Sequence, residues 1–148
     1  EISAFIIDSL GLAMNEQTSA NFAAYLRISR DMERIGDHSK NIAEVAKLKE
    51  DQSLAFTDKT FEELKEINEV IEKMFSSALG EIDRDERVAF MRSSNELVQK
   101  DATQFRNNHM LRMREKICDP ESGLLYEKTL AAMERISSYI SNAGKLAI

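Results

Sequence analysis

Apolar residues recur every three or four positions along most of the 148-residue chain, and this spacing restricts the fold more than any other feature. The clearest run lies within residues 19–49, where it steps by four and three through Ile28, Met32, Ile35, Ser39, Ile42 and Ala46. One proline and five glycines leave few breaks for sheets or long loops. The pattern predicts an all-α protein, an antiparallel bundle of about five helices.

The bounds of these helices follow from apolar spacing and from residue types that favour helix ends. Thr60 and Glu63 have the spacing of a capping box, and Gly80 is predicted to end a helix in the left-handed conformation. Residues 120–123, with their proline and glycine, are expected to interrupt the helical pattern. The predicted helices span about 2–14, 19–49, 61–80, 83–117 and 124–148.

Charge and cysteine content narrow the classes of partner. Twenty basic side chains against 26 acidic ones give a net charge of −6, which disfavours binding to nucleic acid and to anionic lipid. Cys118 is the only cysteine, so an intrachain disulfide is excluded, and a buried thiol in a reducing compartment is the ordinary interpretation. No apolar run approaches about 18 residues, so this segment is not expected to insert into a membrane.

The two ends of the chain share an internal repeat. A shift of 101 residues places Tyr25 on Tyr126, Asn41 on Asn142, and the string Met-Glu-Arg-Ile at 32–35 on the same string at 133–136. We interpret this as two three-helix units, of which the first lacks its first helix. The predicted organisation is a truncated repeat of two helices over 1–50 and a complete repeat of three helices over 57–148, packed as one domain.

A missing helix would leave part of the first repeat uncovered. Exposed apolar surface is then expected at Phe5, Phe22 or Leu26, and surfaces of this kind usually meet a partner. Self-association into a homo-oligomer is therefore predicted. The chain also begins with Glu1 inside an apolar periodic segment, which suggests a piece of a longer protein.

Residues 25–44 resemble the signature helix of the PhoU family, phosphate-uptake regulators built from two three-helix bundles. The matching strings are Glu-Arg-Ile-Gly-Asp-His at 33–38 and Asn-Ile-Ala-Glu at 41–44. The second half, from Asn108 to Ile136, is similar to the PhoU-like tail of bacterial sodium/phosphate cotransporters. The resemblance implies a regulatory domain on the cytoplasmic side of the cell membrane, joined to a membrane-embedded transporter portion of the same polypeptide.

The resemblance also implies a metal site, since some relatives bind iron, zinc or similar metals through acids spaced as Glu/Asp-x-x-x-Asp. One such pair is present in the first repeat, with a histidine beside it, whereas the second repeat has Ser138 in place of its second acid. A transition metal such as iron or zinc, or another divalent cation, is the implied cofactor, and none is required for folding. The candidate ligands are Glu33, Asp37, His38, Asp101 and Glu134.

The residues themselves leave a second interpretation of the Glu33 and Asp37 pair open. Two acids one turn apart repel each other by only about 0.2–0.5 kcal/mol on an exposed helix. Arg30, Arg34 and Lys40 lie within a turn and could neutralise them. A solvated network of ion pairs therefore competes with a metal site.

Residues typical of catalytic sites are missing from the sequence. There is no glycine-rich phosphate loop, Cys118 has no evident basic partner, and the Glu-x-x-His motif of di-iron bundles is absent. We therefore expect no enzymatic activity. The functions left open are a regulatory domain of a phosphate transporter, a ligand-free structural or dimerising module, and a free-standing PhoU-type signalling regulator.

Overall fold

The computed structural model describes residues 4, 5, 7 and 15–147. Within 15–147 the chain forms four α-helices and no strand, which confirms the predicted all-α fold. Most of the helix predicted over about 2–14 lies outside the described residues, although Ala4, Phe5 and Ile7 are helical. The helices are α1 (Glu16–Asp51), α2 (Asp58–Leu79), α3 (Arg84–Arg114) and α4 (Pro120–Leu146).

Helix α4 is the central element of the bundle, because it packs against each of the other three. Helices α2 and α3 also pack against each other, whereas α1 packs against α4 alone among the described helices. Arg27, near the start of α1, lies beside Lys145 at the end of α4, and Leu48 lies near Lys128. The two helices are therefore antiparallel.

The buried core lies between α2, α3 and α4, and α1 adds little to it. Apolar side chains from these three helices interlock along their full length, as expected for stripes spaced by three and four. From α1 only Ile35 and Val45 are fully buried. The largest buried apolar side chains are Ile67, Met74, Met91, Val98, Tyr126, Leu130 and Ile140.

The start of α2 differs from the predicted capping box. Thr57, not Thr60, is the capping residue, and its Oγ1 accepts a hydrogen bond from the Thr60 backbone N–H at 3.3 Å. The prediction was wrong because Glu63 is fully buried and faces the core, where it cannot reach back to the first turn. Asp83 and Asp119 cap α3 and α4 in the same way as Thr57, with side-chain oxygens that accept first-turn N–H bonds.

Two further predictions about helix ends were wrong. Gly80 follows α2 with φ −82° and ψ 157°, an extended conformation, because the chain runs directly into the cap of α3. Helix α3 ends at Arg114, earlier than the predicted 117, and the chain turns at Lys116, where φ is 58°. Among residues 15–147 the left-handed residues are Ser53 and Lys116, and neither of them is a glycine.

Residues 120–123 begin α4, although they were expected to interrupt the pattern. Pro120 occupies the first turn, where a backbone N–H has no helical partner and a proline costs nothing. Gly123 then allows close contact with α3, since a Cβ at this position would lie 2.6 Å from the His109 Nε2. Small size, and not a break in the helix, is the reason for glycine here.

The predicted seam of α1 is only partly covered. Ile35 is buried and Ile42 packs against the core cluster, but Met32, Ser39 and Ala46 are exposed. The prediction treated the whole stripe as buried, whereas α4 covers one side of it. Phe22 and Leu26, expected to be exposed, are half-buried, and Phe5 is 70% exposed.

Candidate functional site

The acids of the predicted metal pair lie on α1, on the side facing away from α4. A helix turns about 100° per residue, so the positions two before and two after Ile35 point away from the interface that Ile35 occupies. Glu33 and Asp37 are accordingly exposed. The Asp37 Oδ2 lies 3.8 Å from the Arg34 Nη1, a surface ion pair of the kind that contributes little to stability.

His38 lies at the contact between α1 and α4. Its ring is half-buried and stacks on Tyr139, with the ring centroids 5.8 Å apart and the planes at 19°. Residue 139 is the counterpart of residue 38 in the 101-residue repeat. His38 therefore faces its own repeat partner and points to a different side of α1 from Glu33 and Asp37.

The two remaining candidates lie on α3 and α4. Glu134 on α4 is held by the Arg106 guanidinium, which also donates from Nε to the Glu127 Oε1 at 2.6 Å. These acids raise the pKa of Arg106, with the hydrogen bond to Glu134 as the largest cause. Asp101 is half-buried on α3. Glu134 thus already has a cationic partner.

The structure does not bring the five predicted ligands together. In the described ranges there is no group of three or more His, Cys, Asp or Glu side chains that could hold a metal ion. Glu33 and Asp37 supply two oxygen ligands on an open surface, and a complete site would require ligands from another element. The metal site stays a prediction.

Sequence reasoning missed a buried ionic network between α2, α3 and α4. The fully buried Glu63 carboxylate accepts hydrogen bonds from both Arg112 terminal nitrogens, at 2.9 and 2.7 Å, and from the Tyr126 hydroxyl at 2.6 Å. Desolvation by burial raises the pKa of Glu63, but the bonds from Arg112 and Tyr126 outweigh it and the pKa is lowered. The bidentate arrangement satisfies a charge that would otherwise destabilise the core.

His109 on α3 is buried, with only 6% of its surface exposed. Its ring packs edge-on against Tyr126 at 4.9 Å, and both ring nitrogens lack a hydrogen-bond partner among the residues described. Burial lowers its pKa, and Arg112 lowers it further. The ring lines a cavity of about 460 Å³, together with Phe56, Thr57 and Cys118. Cys118 is buried, as predicted.

One face of α1 is not covered by any of the described helices, although its repeat counterpart on α4 is buried. We name Tyr25, Met32, Gly36 and Ala43 the uncovered face. Tyr25 and Met32 are 48% and 49% exposed, whereas Tyr126 and Met133 are 1% and 7% exposed. A Cβ on Gly36 would meet no atom of the described residues within 4 Å. The remaining counterparts, Ser137 and Gly144, are buried.

Comparison with known protein families gives a match to the first part of the chain. The family model of the PhoU domain matches residues 1–46, a range that includes most of α1 and its Glu33 and Asp37 pair. No curated protein and no solved structure matches the chain. Separately, none of the helices in the described part of the chain is long and apolar enough to cross a membrane.

Proposed function

We propose that this chain is a regulatory domain of a phosphate transport system, acting through helix contacts and not through catalysis. The PhoU domain match over residues 1–46 supports the connection with phosphate transport. The all-helical bundle agrees with the architecture of that family. The finer form of the proposal is a domain on the cytoplasmic side of the membrane, joined to a sodium-dependent phosphate transporter.

The uncovered face of α1 is the observation that carries this proposal. It lies within the matched residues, and its two large apolar side chains are half exposed. The same positions on α4 are covered by α2 and α3. A helix that repeats a buried pattern without its cover presents a surface suited to another helical element. We propose that contacts at this face transmit the regulatory signal.

Phosphate uptake by cells that carry the gene tests this role. Met32→Glu places a charge on the uncovered face and is expected to change how uptake responds to external phosphate. Met110→Glu is the matched control, because Met110 on α3 is 51% exposed and Met32 is 49% exposed. Unchanged regulation in the Met32 variant, or an equal change in both variants, would contradict the proposal.

Metal binding is a separate part of the proposal. Glu33 and Asp37 are exposed one turn apart, and we propose that they bind iron, zinc or another divalent cation once a further element supplies ligands. Asp37→Asn is expected to lower the metal content measured by elemental analysis after purification from metal-supplemented cells. Glu66→Gln is the control, because Glu62 and Glu66 are another exposed pair of acids four residues apart. Wild-type protein purified without bound metal would contradict the metal proposal and leave the regulatory proposal unaffected.

A ligand-free dimerising module is the second candidate function. The exposure of Tyr25 and Met32 favours it, because a second copy would bury both side chains. Light scattering over a range of concentrations is expected to show a dimer that Met32→Glu weakens. A strict monomer at high concentration would exclude this candidate without affecting the regulatory proposal.

A further inference from the structure

Two grooves lie between α1 and α4, on a different side of α1 from the uncovered face. At one end of the interface is a groove of about 390 Å³, which we name the basic groove. The groove is lined by three cationic side chains, one carboxylate, one amide and one apolar side chain. The lining residues are Arg27, Arg30, Asp31, Asn142, Lys145 and Leu146.

Two of the three cations in the basic groove have no partner among the described residues. Arg30 and Lys145 form no ion pair or side-chain hydrogen bond with any residue in the described ranges. Arg27 lies near enough to Asp31 to lower its pKa, although desolvation has the larger effect and raises it. Three cations facing one carboxylate leave a local positive charge on a chain whose net charge is −6.

A twin groove at the other end of the interface shows that packing does not require a cation at the positions of Arg30 and Lys145. All six residues of the basic groove have repeat counterparts, 101 positions away, that line a single second groove. The geometry is therefore shared, but the chemistry differs: Lys145 corresponds to Glu44, Arg30 to Ala131 and Asp31 to Ala132. Arg27 and Asn142 correspond to Lys128 and Asn41 and keep their character.

The cations that are present only in the basic groove are not needed for the contact between α1 and α4. An interface that tolerates Ala131 and Glu44 in the twin groove does not need Arg30 and Lys145 for packing. Lys145 also lies in the last turn of α4, where a cation is favoured by the helix dipole, but this effect does not account for Arg27 or Arg30. Two guanidinium groups and an ammonium around one cleft match the donor pattern that recognises phosphate-like oxyanions.

We propose that the basic groove binds a tetrahedral oxyanion carrying two or more negative charges, of the phosphate or phosphate-ester class. Arg27 and Arg30 donate from α1, and Lys145 with the Asn142 amide donates from α4. This ligand chemistry can come from a free anion or from a lipid headgroup. The inference does not rest on the proposed function, since it stands on the charges of the groove and on its twin.

Titration calorimetry with inorganic phosphate and pyrophosphate tests the free-anion source. Wild-type protein is expected to bind pyrophosphate more tightly than phosphate, with affinity that falls as sodium chloride is added. The double variant Arg30→Ala, Lys145→Ala is expected to weaken binding by at least about tenfold, the equivalent of one charge-assisted hydrogen bond. Lys128→Ala in the twin groove is the matched control and should bind as wild type does.

Sedimentation with vesicles of phosphatidylcholine and phosphatidylglycerol tests the headgroup source with the same variants. Binding to vesicles but to neither soluble anion, lost in the double variant, would support the proposal and assign the ligand to lipid. Absence of binding in both experiments would overturn it. An equal loss in the double variant and in Lys128→Ala would also overturn it, because the effect would then reflect net charge. Neither result bears on the regulation of phosphate uptake.

Discussion

Helices α1 and α4 carry the same sequence pattern, yet one is the centre of the bundle and the other lies at its edge. Tyr126 and Met133 are buried under α2 and α3, whereas Tyr25 and Met32 at the same repeat positions are about half exposed. At the contact between the two helices, however, the same repeat positions are used on both. His38 stacks on its counterpart Tyr139, and the two grooves are lined by positions 101 residues apart. Burial is therefore set by which helices surround a position, and not by the local sequence alone.

The largest expected difference between the two helices is at the tyrosines. Tyr126→Ala removes a buried ring and leaves the Glu63 carboxylate without one of its donors, so the free energy of unfolding should fall by about 3–5 kcal/mol. Tyr25→Ala should change it by less than about 0.5 kcal/mol. Urea denaturation of both variants measures the difference. Similar losses in the two variants would mean that α1 is covered as α4 is.

Acid-induced unfolding is a second test of the contrast between α4, whose Tyr126 contacts the buried Glu63, and α1, whose Tyr25 is half exposed. The pKa of Glu63 is lowered in the folded protein, so its ionised form contributes stability above pH 4.5 that is lost as the pH falls through the folded-state pKa. Glu63→Gln should remove this part of the pH dependence and destabilise the protein at pH 7. Unfolding measured from pH 7 to pH 3 tests this. An unchanged slope in the variant would show that other groups cause the acid sensitivity.

The smallest expected effect is on the uncovered face of α1. Gly36 lies inside a helix, and no atom of the described residues lies within 4 Å of where its Cβ would be. Gly36→Ala should therefore raise the free energy of unfolding by about 0.5–1 kcal/mol through helix propensity alone. Gly144→Ala on α4 should not give this gain in stability, because the added Cβ would lie 2.6 Å from the Met91 Cε. Thermal unfolding of the two variants compares them. Destabilisation by Gly36→Ala would indicate a close neighbour at this face.

Much of the fold could be predicted because helical spacing and end residues are local signals. The break between α2 and α3 and the start of α3 near Asp83 followed from the sequence. The cap at Thr57 was missed because Thr60 and Glu63 have the spacing of a capping box. Only the packing of the helices shows that Glu63 faces the core.

The buried polar residues were harder to predict. His109 follows Ala102 and Phe105 at helical spacing, so its position on a buried stripe could have been recognised. Its contact with Tyr126, and the contact of Arg112 with Glu63 across 49 residues, depend on how three helices pack. The spacing of residues within a single helix does not reveal such contacts. The same limit applies to the predicted metal pair, because a complete site would need ligands from elements beyond α1.

Methionine oxidation tests the contrast between α1 and α4 most directly. Under hydrogen peroxide, exposed methionines form the sulfoxide and buried ones are protected. We predict that mass spectrometry of the native chain will show Met32 oxidised at least about tenfold faster than Met133. Equal rates at the two residues, in protein that remains folded, would contradict the claim that α1 repeats the pattern of α4 without its cover.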